Sequence, residues 1–167
     1  TELNTTNRIV TELLDYARQP QVDRRAIAVA DVVAKAIRNV EPGEGVELNC
    51  REPSEPVSVV ADRIHLERIL TNLVQNAVQA VAEHGEVVVS WSLADGQVEI
   101  CVKDNGTGIM PGNLEKIFEP LFTTKAKGIG LGLPLSRRYA ELNDGKLTAE
   151  SSAGDGSVFR LRLPQNH

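Results

Sequence analysis

Hydrophobic and polar positions along the chain switch between a helical period and strict alternation, and each switch marks an element. Ile9, Val10, Leu13, Leu14 and Ala17 recur at helix spacing until Pro20, which lacks a backbone donor, ends the run; a loop is expected after it. Residues 29–40 repeat the helical period, with Asp31 in the first turn and Pro42-Gly43 as the stop. Val46, Leu48 and Cys50 then alternate with polar residues, and residues 57–60 are β-branched, so two strands are expected. The longest predicted helix covers residues 62–83, its apolar face built from Ile64, Ile69, Leu70, Leu73, Val74, Ala77, Val78 and Val81. Val87, Val89, Trp91 and Leu93 alternate and are answered by Val98, Ile100 and Val102 across Asp95-Gly96, a hairpin pattern. Six of the 13 glycines fall between Gly106 and Gly132, which predicts a loop-rich, mobile stretch. A helix over 134–142, a turn at 143–145 and strands over 146–151 and 157–163 complete the chain. Helices on one face of a mixed, antiparallel-leaning sheet make an α/β fold, a two-layer α/β sandwich.

Composition narrows the function. With 167 residues and 41% of them hydrophobic, the chain can bury a substantial core, which excludes disorder. Its 18 Lys and Arg are outnumbered by 23 Asp and Glu, so its field repels a nucleic-acid backbone, and no nucleic-acid partner is expected. The longest apolar run is far too short to cross a bilayer and the start, Thr1 to Asn7, is polar, so no membrane contact from this chain is expected. Cys50 and Cys101 stand alone in strand-like stretches, with neither metal-site nor disulfide-scaffold spacing; a reducing cytoplasm is the expected setting.

Three constellations carry candidate chemistry. Asn72 and Asn76 stand one helical turn apart in a polar stripe that His65, Arg68, Gln79 and Glu83 extend. The stripe reads as a solvated face, or as amide groups kept for a task, since Asn is a poor helix former. Asp104-Asn105-Gly106-Thr107-Gly108-Ile109 ends a hydrophobic strand; it reads equally as an Asn-Gly turn or as a carboxylate accepting from an exocyclic amine, with glycines that admit a flat ring. Gly128-Ile129-Gly130-Leu131-Gly132-Leu133 opens a helix, where free amides bind anions such as phosphate. The chain has no GxxxxGK[ST] loop, no GxGxxG dinucleotide fingerprint and no HRD or DFG set, so the nucleotide architecture is a different one.

In their order these residues resemble the catalytic ATP-binding domain of sensor histidine kinases, within the superfamily of gyrase, chaperone, histidine-kinase and mismatch-repair ATPases. Asn72-Leu73-Val74-Gln75-Asn76-Ala77 resembles its N box, and residues 104–109 its G1 box. Ile117-Phe118-Glu119-Pro120-Leu121-Phe122-Thr123-Thr124-Lys125 is similar to the F box, and residues 128–133 to the G2 box. Gly154, Gly156, Ser157, Phe159 and Leu163-Pro164 match the closing strand, so the resemblance covers about residues 29–164.

The resemblance implies a Bergerat-type fold and a division of labour over a bound Mg²⁺ and ATP. Asn76 would ligate Mg²⁺, with Asn72 beside the metal and phosphates and Gln79 further along the same helix. Asp104 would accept the adenine amino hydrogen, with Ser157 in the place of a more usual Thr. Gly106 and Gly108 would admit the base, and Ile109 and Leu133 would contact it. Gly128, Ile129, Gly130, Leu131 and Gly132 would wrap the triphosphate, and Thr124 with Lys125 or Lys127 would reach its β- and γ-phosphates. Gln79 and Ala80 stand where many kinases of the family carry Lys and an aromatic residue, and Ile129 replaces a frequent Thr or Ser; Ala80 and the Phe-Thr-Thr-Lys ending are closer to the nitrogen-regulation and oxygen-sensing branch.

None of His65, His84 and His167 has the setting of the family's phosphoacceptor, and residues 1–18 resemble the end of its second dimerisation helix. The chain is therefore read as residues 1–28, the end of a dimerisation helix and a linker, followed by a catalytic domain over 29–167. Transfer of the γ-phosphoryl to a histidine on a dimerisation domain outside this fragment, for relay to a response-regulator aspartate, is the expected function, in a homodimeric parent that a membrane anchors or not. An anti-sigma-type serine kinase, a nucleotide-sensing module and a gyrase-type hydrolase are the alternatives. Against the last, Asn72 occupies the position of the hydrolases' glutamate base.

Overall fold

A computed structural model describes residues 10, 11, 13, 14, 17, 21–81, 83–125 and 128–165. Its strands are β1 (Arg24–Ala28), β2 (Val46–Arg51), β3 (Ser58–Asp62), β4 (Gly85–Ala94), β5 (Gln97–Asp104), β6 (Lys146–Ser152) and β7 (Gly156–Pro164). Its helices are α1 (Val29–Arg38), α2 (Arg63–Ala80), α3 (Pro111–Leu114) and α4 (Gly132–Leu142). Of the dimerisation-helix segment expected over residues 1–18, the described residues Val10, Thr11, Leu13, Leu14 and Ala17 are helical and exposed; the remainder lies outside the described residues.

The main sheet runs β2-β4-β5-β7-β6, with β2 parallel to β4 and the other pairs antiparallel; β1 and β3 form a separate two-stranded sheet. Alternation along β5 turns Val98, Ile100, Val102 and Asp104 inward and leaves Glu99, Cys101 and Lys103 on the other face. The β4–β5 hairpin closes through Asp95 at φ 53° and Gly96 at φ 70°, the two positive values of a type I′ turn.

Helix α2 is the spine of the core. Leu66, Ile69, Leu70, Leu73, Val74 and Ala77 are fully buried, each Leu or Ile contributing about 1.5 to 3 kcal/mol by leaving water. Asp62 ends β3 and caps α2, its carboxylate accepting from Ile64 N at 2.9 Å and His65 N at 3.1 Å. At the other end the expected helix over 62–83 overshoots, because Val81 is extended and the Thr107 amide takes the Ala80 carbonyl at 3.1 Å. That bond brings the loop after β5 onto the last turn of α2.

Several sequence expectations change. The stretch after Pro20 read as loop and linker contains β1, which pairs with β3 and so belongs to this fold; only Ile27 of it is buried, too little for an alternation signal. Helix α4 begins at Gly132, two residues earlier than expected, and the four-residue α3 was not foreseen. Cys50 is exposed on β2, where it lies opposite Val89 of β4, and half-buried Cys101 has its thiol pushed up to about 11, by burial first and then by Glu99. His65, placed by spacing in the polar stripe, is buried at 4% exposure and stacks on Tyr139 with ring centroids 4.3 Å apart.

Candidate functional site

The site lies where the exposed side of α2, the end of β5 and the start of α4 meet. Asn72 donates from Nδ2 to Ser136 Oγ of α4 at 3.0 Å. Gly132 packs so tightly on this amide that a Cβ there would stand 2.4 Å from Asn72 Oδ1. The first amides of α4 have no side-chain cap, which leaves the positive end of that helix open beside Asn72. One turn along α2, Asn76 Oδ1 and Gln79 Oε1 converge on one cation, the Lys125 ammonium, at 3.0 and 2.7 Å. Desolvation lowers the pKa of Lys125, against the pull of Asp104.

Asp104 closes the other end. Its side chain is buried at 2% exposure, and its Oδ1 accepts from Gly106 N at 2.9 Å. Burial raises its pKa above the ordinary carboxylate range, opposed by the Gly106 and Ser157 amides and by Lys125. Gly108, at φ 69°, passes so close to β6 that a Cβ would sit 2.0 Å from the Ser152 carbonyl oxygen, a position that only glycine fills. Ile109 packs partly buried against the core, and its amide donates to Ser151 Oγ at 2.7 Å. Ser157 is buried beside Asp104, its register partner.

Between these ends runs the segment of the F and G2 motifs. Ile117 and Phe118 are buried and anchor it, and the Arg137 guanidinium of α4 lies 3.7 Å over the Phe118 ring. Leu121 donates its amide to the Gly130 carbonyl at 2.9 Å, and Gly128 donates to the Lys125 carbonyl at 3.1 Å. Thr124 is exposed next to Lys125, while Ile129, Gly130 and Leu133 are half-buried. Leu131 is buried at 2% exposure, so its side chain belongs to the interior and only its backbone lies along the loop. Lys127 lies outside the described residues.

The sequence reading missed Ser136, Ser151 and Arg137. Ser136 is four residues after Gly132, the same helix face, a spacing that could have found it. Ser151 could have been found from the β6–β7 register, which sets it opposite Ser157. The stripe also divides: Asn76 and Gln79 face the loop through Lys125, Asn72 faces the start of α4, and His65 and Arg68 turn to Tyr139 and Asn143.

A hard divalent cation fits this donor set. Among the described residues no three His, Cys, Asp or Glu cluster as metal ligands. The paired amide oxygens of Asn76 and Gln79 already hold a positive charge, that of Lys125, and a Mg²⁺ ion there would need only phosphate oxygens and water to complete its shell.

Residues 61–167 match the family described as histidine kinase-, DNA gyrase B- and HSP90-like ATPases, and the chain belongs to that family, as an ATP-binding catalytic domain of the histidine-kinase type. It is 33% identical over 169 residues to the signal transduction histidine-protein kinase AtoS of Escherichia coli K12, covering 99% of this chain and 28% of AtoS. Full-length ShkA, solved in complex with AMPPNP, superposes with a TM-score of 0.83 at 25% identity, over 97% of this chain and 35% of ShkA. The histidine kinase ThkA, solved in complex with the response regulator protein TrrA, gives 0.78 at 27% identity, over 99% of this chain and 48% of ThkA. The chain thus spans about a quarter to a half of these proteins, and its α/β sandwich is the fold it shares with the matching parts of ShkA and ThkA.

Proposed function

We propose that this domain holds Mg·ATP between Asp104 and α2 and donates the γ-phosphoryl to a histidine on a dimerisation domain outside this chain, from which a response-regulator aspartate receives it. One observation carries the reading: a buried carboxylate that can accept from an amine stands at one end of the site, and two amide oxygens that gather a cation stand at the other. ATP binding follows from the family; the magnesium and the individual residue roles are the proposal. Asp104 accepts from the adenine amino group, with Gly106, Gly108, Ile109 and Leu133 around the base and Ser157 beside the carboxylate. The amides at the start of α4, with Gly128 to Gly132, face the phosphates. Asn76 is the protein ligand for Mg²⁺, with Gln79 beside it and Asn72 held by Ser136 toward the phosphates. Mg²⁺ held there would neutralise charge on the phosphates. Lys125 exchanges the amides for phosphate oxygens as nucleotide enters, with Thr124 next to it.

Transfer then needs positioning more than covalent help from this chain. An imidazole nitrogen of the acceptor bonds to the γ-phosphorus as the bond to the bridging oxygen breaks, and ADP leaves with that electron pair. Asn72 supplies no base for water, which separates the site from a hydrolase. The exposed apolar residues Val10, Leu13 and Leu14 fit a helix that pairs in a homodimeric parent, and the ThkA–TrrA complex supports a response regulator as the next acceptor. A cytoplasmic setting for the domain fits; no helix among the described residues is long and apolar enough to cross a membrane, and the parent's anchoring is a separate matter.

The test supplies the chain with γ-labelled ATP, Mg²⁺ and a separately made dimerisation-helix pair bearing its histidine. Acid-labile label on that histidine, with none on His65 or His84, is the expected result. Label on His65 or His84, or ADP release with no acceptor labelled, would overturn the reading.

A further inference from the structure

Ser151 of β6 lies directly opposite Ser157 of β7, and Ser157 lies directly opposite Asp104 of β5, so the three side chains form a row across the sheet under the site. Ser151 Oγ is 2.7 Å from the Gly156 carbonyl oxygen, 2.7 Å from the Ile109 amide and 2.9 Å from Ser157 Oγ. A hydroxyl has one hydrogen and two lone pairs. The Ile109 amide can only donate, so it takes one lone pair of Ser151. The Gly156 carbonyl can only accept, so it takes the Ser151 hydrogen. The second lone pair is all that remains for Ser157, which makes Ser157 the donor of the serine pair. Its hydrogen therefore points to Ser151, and beside Asp104 it presents oxygen lone pairs only.

We infer that Ser151, outside the nucleotide contacts, is a positioning residue that sets base specificity. By holding the Ser157 hydrogen it keeps the floor of the base pocket acceptor-only, a carboxylate beside a hydroxyl oxygen. Such a floor accepts from an exocyclic amine, directly or through water, and has no donor to offer a ring carbonyl. Adenine carries the amine at the position where guanine carries the carbonyl. Without Ser151 the Ser157 hydroxyl is free to rotate and donate into the pocket, and the penalty against the carbonyl base falls. The bond to Ile109 adds a second effect, since it fixes the loop that begins at Asp104 against β6. The inference rests on the reading of Asp104 as the base contact.

Calorimetry of Mg·ADP and Mg·GDP binding to the parent chain, Ser151→Ala, Ser151→Thr and Asp104→Asn tests it, with hydrogen exchange at the Ile109 amide as a readout that needs no nucleotide. Ser151→Ala is expected to bind ADP about tenfold more weakly and GDP no more weakly than the parent, the worth of one net hydrogen bond. Its Ile109 amide exchanges faster, and Ser151→Thr, which keeps the hydroxyl, restores both the nucleotide ratio and the protection. Ser151→Cys fills the same space with a poor hydrogen-bonding group and is expected to follow Ser151→Ala, should the alanine variant not fold. Equal weakening of ADP and GDP, an unchanged ratio, or an Ile109 amide as protected as in the parent overturns the inference. If Asp104→Asn loses ADP while Ser151→Ala keeps the ratio, only the role of Ser151 falls; if Asp104→Asn keeps ADP, the reading of the pocket itself falls.

Discussion

Asp104→Asn is the sharpest perturbation of the site, because function and stability should move in opposite directions. The carboxylate is buried and its pKa is raised by that burial, so the folded chain holds the Asp104 proton more tightly than the unfolded chain does. Stability from this group is then fully present below the unfolded carboxylate value, about 3.9, and is lost as pH rises through the folded value. At neutral pH the charged group is a liability that the Gly106 and Ser157 amides only partly relieve. The asparagine oxygen can keep the Gly106 bond of 2.9 Å, and the change removes the charge. Its amide nitrogen, however, presents donors where the base presents a donor. Losing a hydrogen bond to a charged group costs about 1.5 to 3 kcal/mol, roughly a ten- to hundredfold loss of ADP affinity. Calorimetry should show that loss while thermal melting at pH 7 stays level with the parent or rises, and the fall in stability as pH rises above about 4 becomes shallower. Parent-like ADP affinity would remove Asp104 from the base contact. A melting point more than about 4 °C lower, on the order of 1 kcal/mol for a domain of this size, would refute the stability reasoning.

Three other outcomes are expected. His65 has its pKa lowered by burial first and then by Arg68, with Asp62 opposing, so the folded chain keeps it neutral; its contribution is fully present above the unfolded value of about 6.5 and is lost as pH falls through the folded value. Denaturant melts from pH 7.5 to 5 should show that loss, and His65→Gln should remove most of this slope; an unchanged slope would assign it to other groups. Asn76→Asp should abolish transfer to a supplied histidine helix while leaving adenosine binding unchanged, because the added charge faces phosphate oxygens at roughly 4 kcal/mol per charge pair at about 4 Å; full transfer by the variant would remove Asn76 from the metal site. Gly108→Ala should weaken nucleotide binding and cost about 1 to 3 kcal/mol of stability, since the side chain meets the Ser152 carbonyl at a positive φ; unchanged melting and affinity would show that the loop yields.

The strongly periodic elements were legible because each buries a whole face. Helix α2 and the β4–β5 hairpin repeat their apolar positions often enough to leave one reading, and Asp95-Gly96 names its own turn. Strand β1 was not legible, since it exists only because β3 offers it an edge. The motif residues of the site were legible from type and order, whereas the groups that aim them were not. Ser136 reaches Asn72 across 64 positions of chain and Ser151 reaches Ile109 across 42. His65 was misread for the same reason: its burial comes from Tyr139 and Asn143 at the far end of α4, and no local pattern records that packing.

The junction at Asp62 has a mechanical consequence. Its carboxylate accepts from the Asp23 amide at 2.9 Å as well as from the first turn of α2, and its own amide donates to Asn143 Oδ1 at 2.7 Å, just past the end of α4. Arg24 adds a bond to the Leu142 carbonyl at 2.8 Å and an ion pair with Asp144. A push or twist delivered through Asp23 and β1 thus reaches the roots of both helices together, one bearing Asn72 and Asn76 and the other opening at Gly132. The two walls of the pocket are yoked at this corner, so a lever acting there swings the pocket as one stiff piece instead of prising it open.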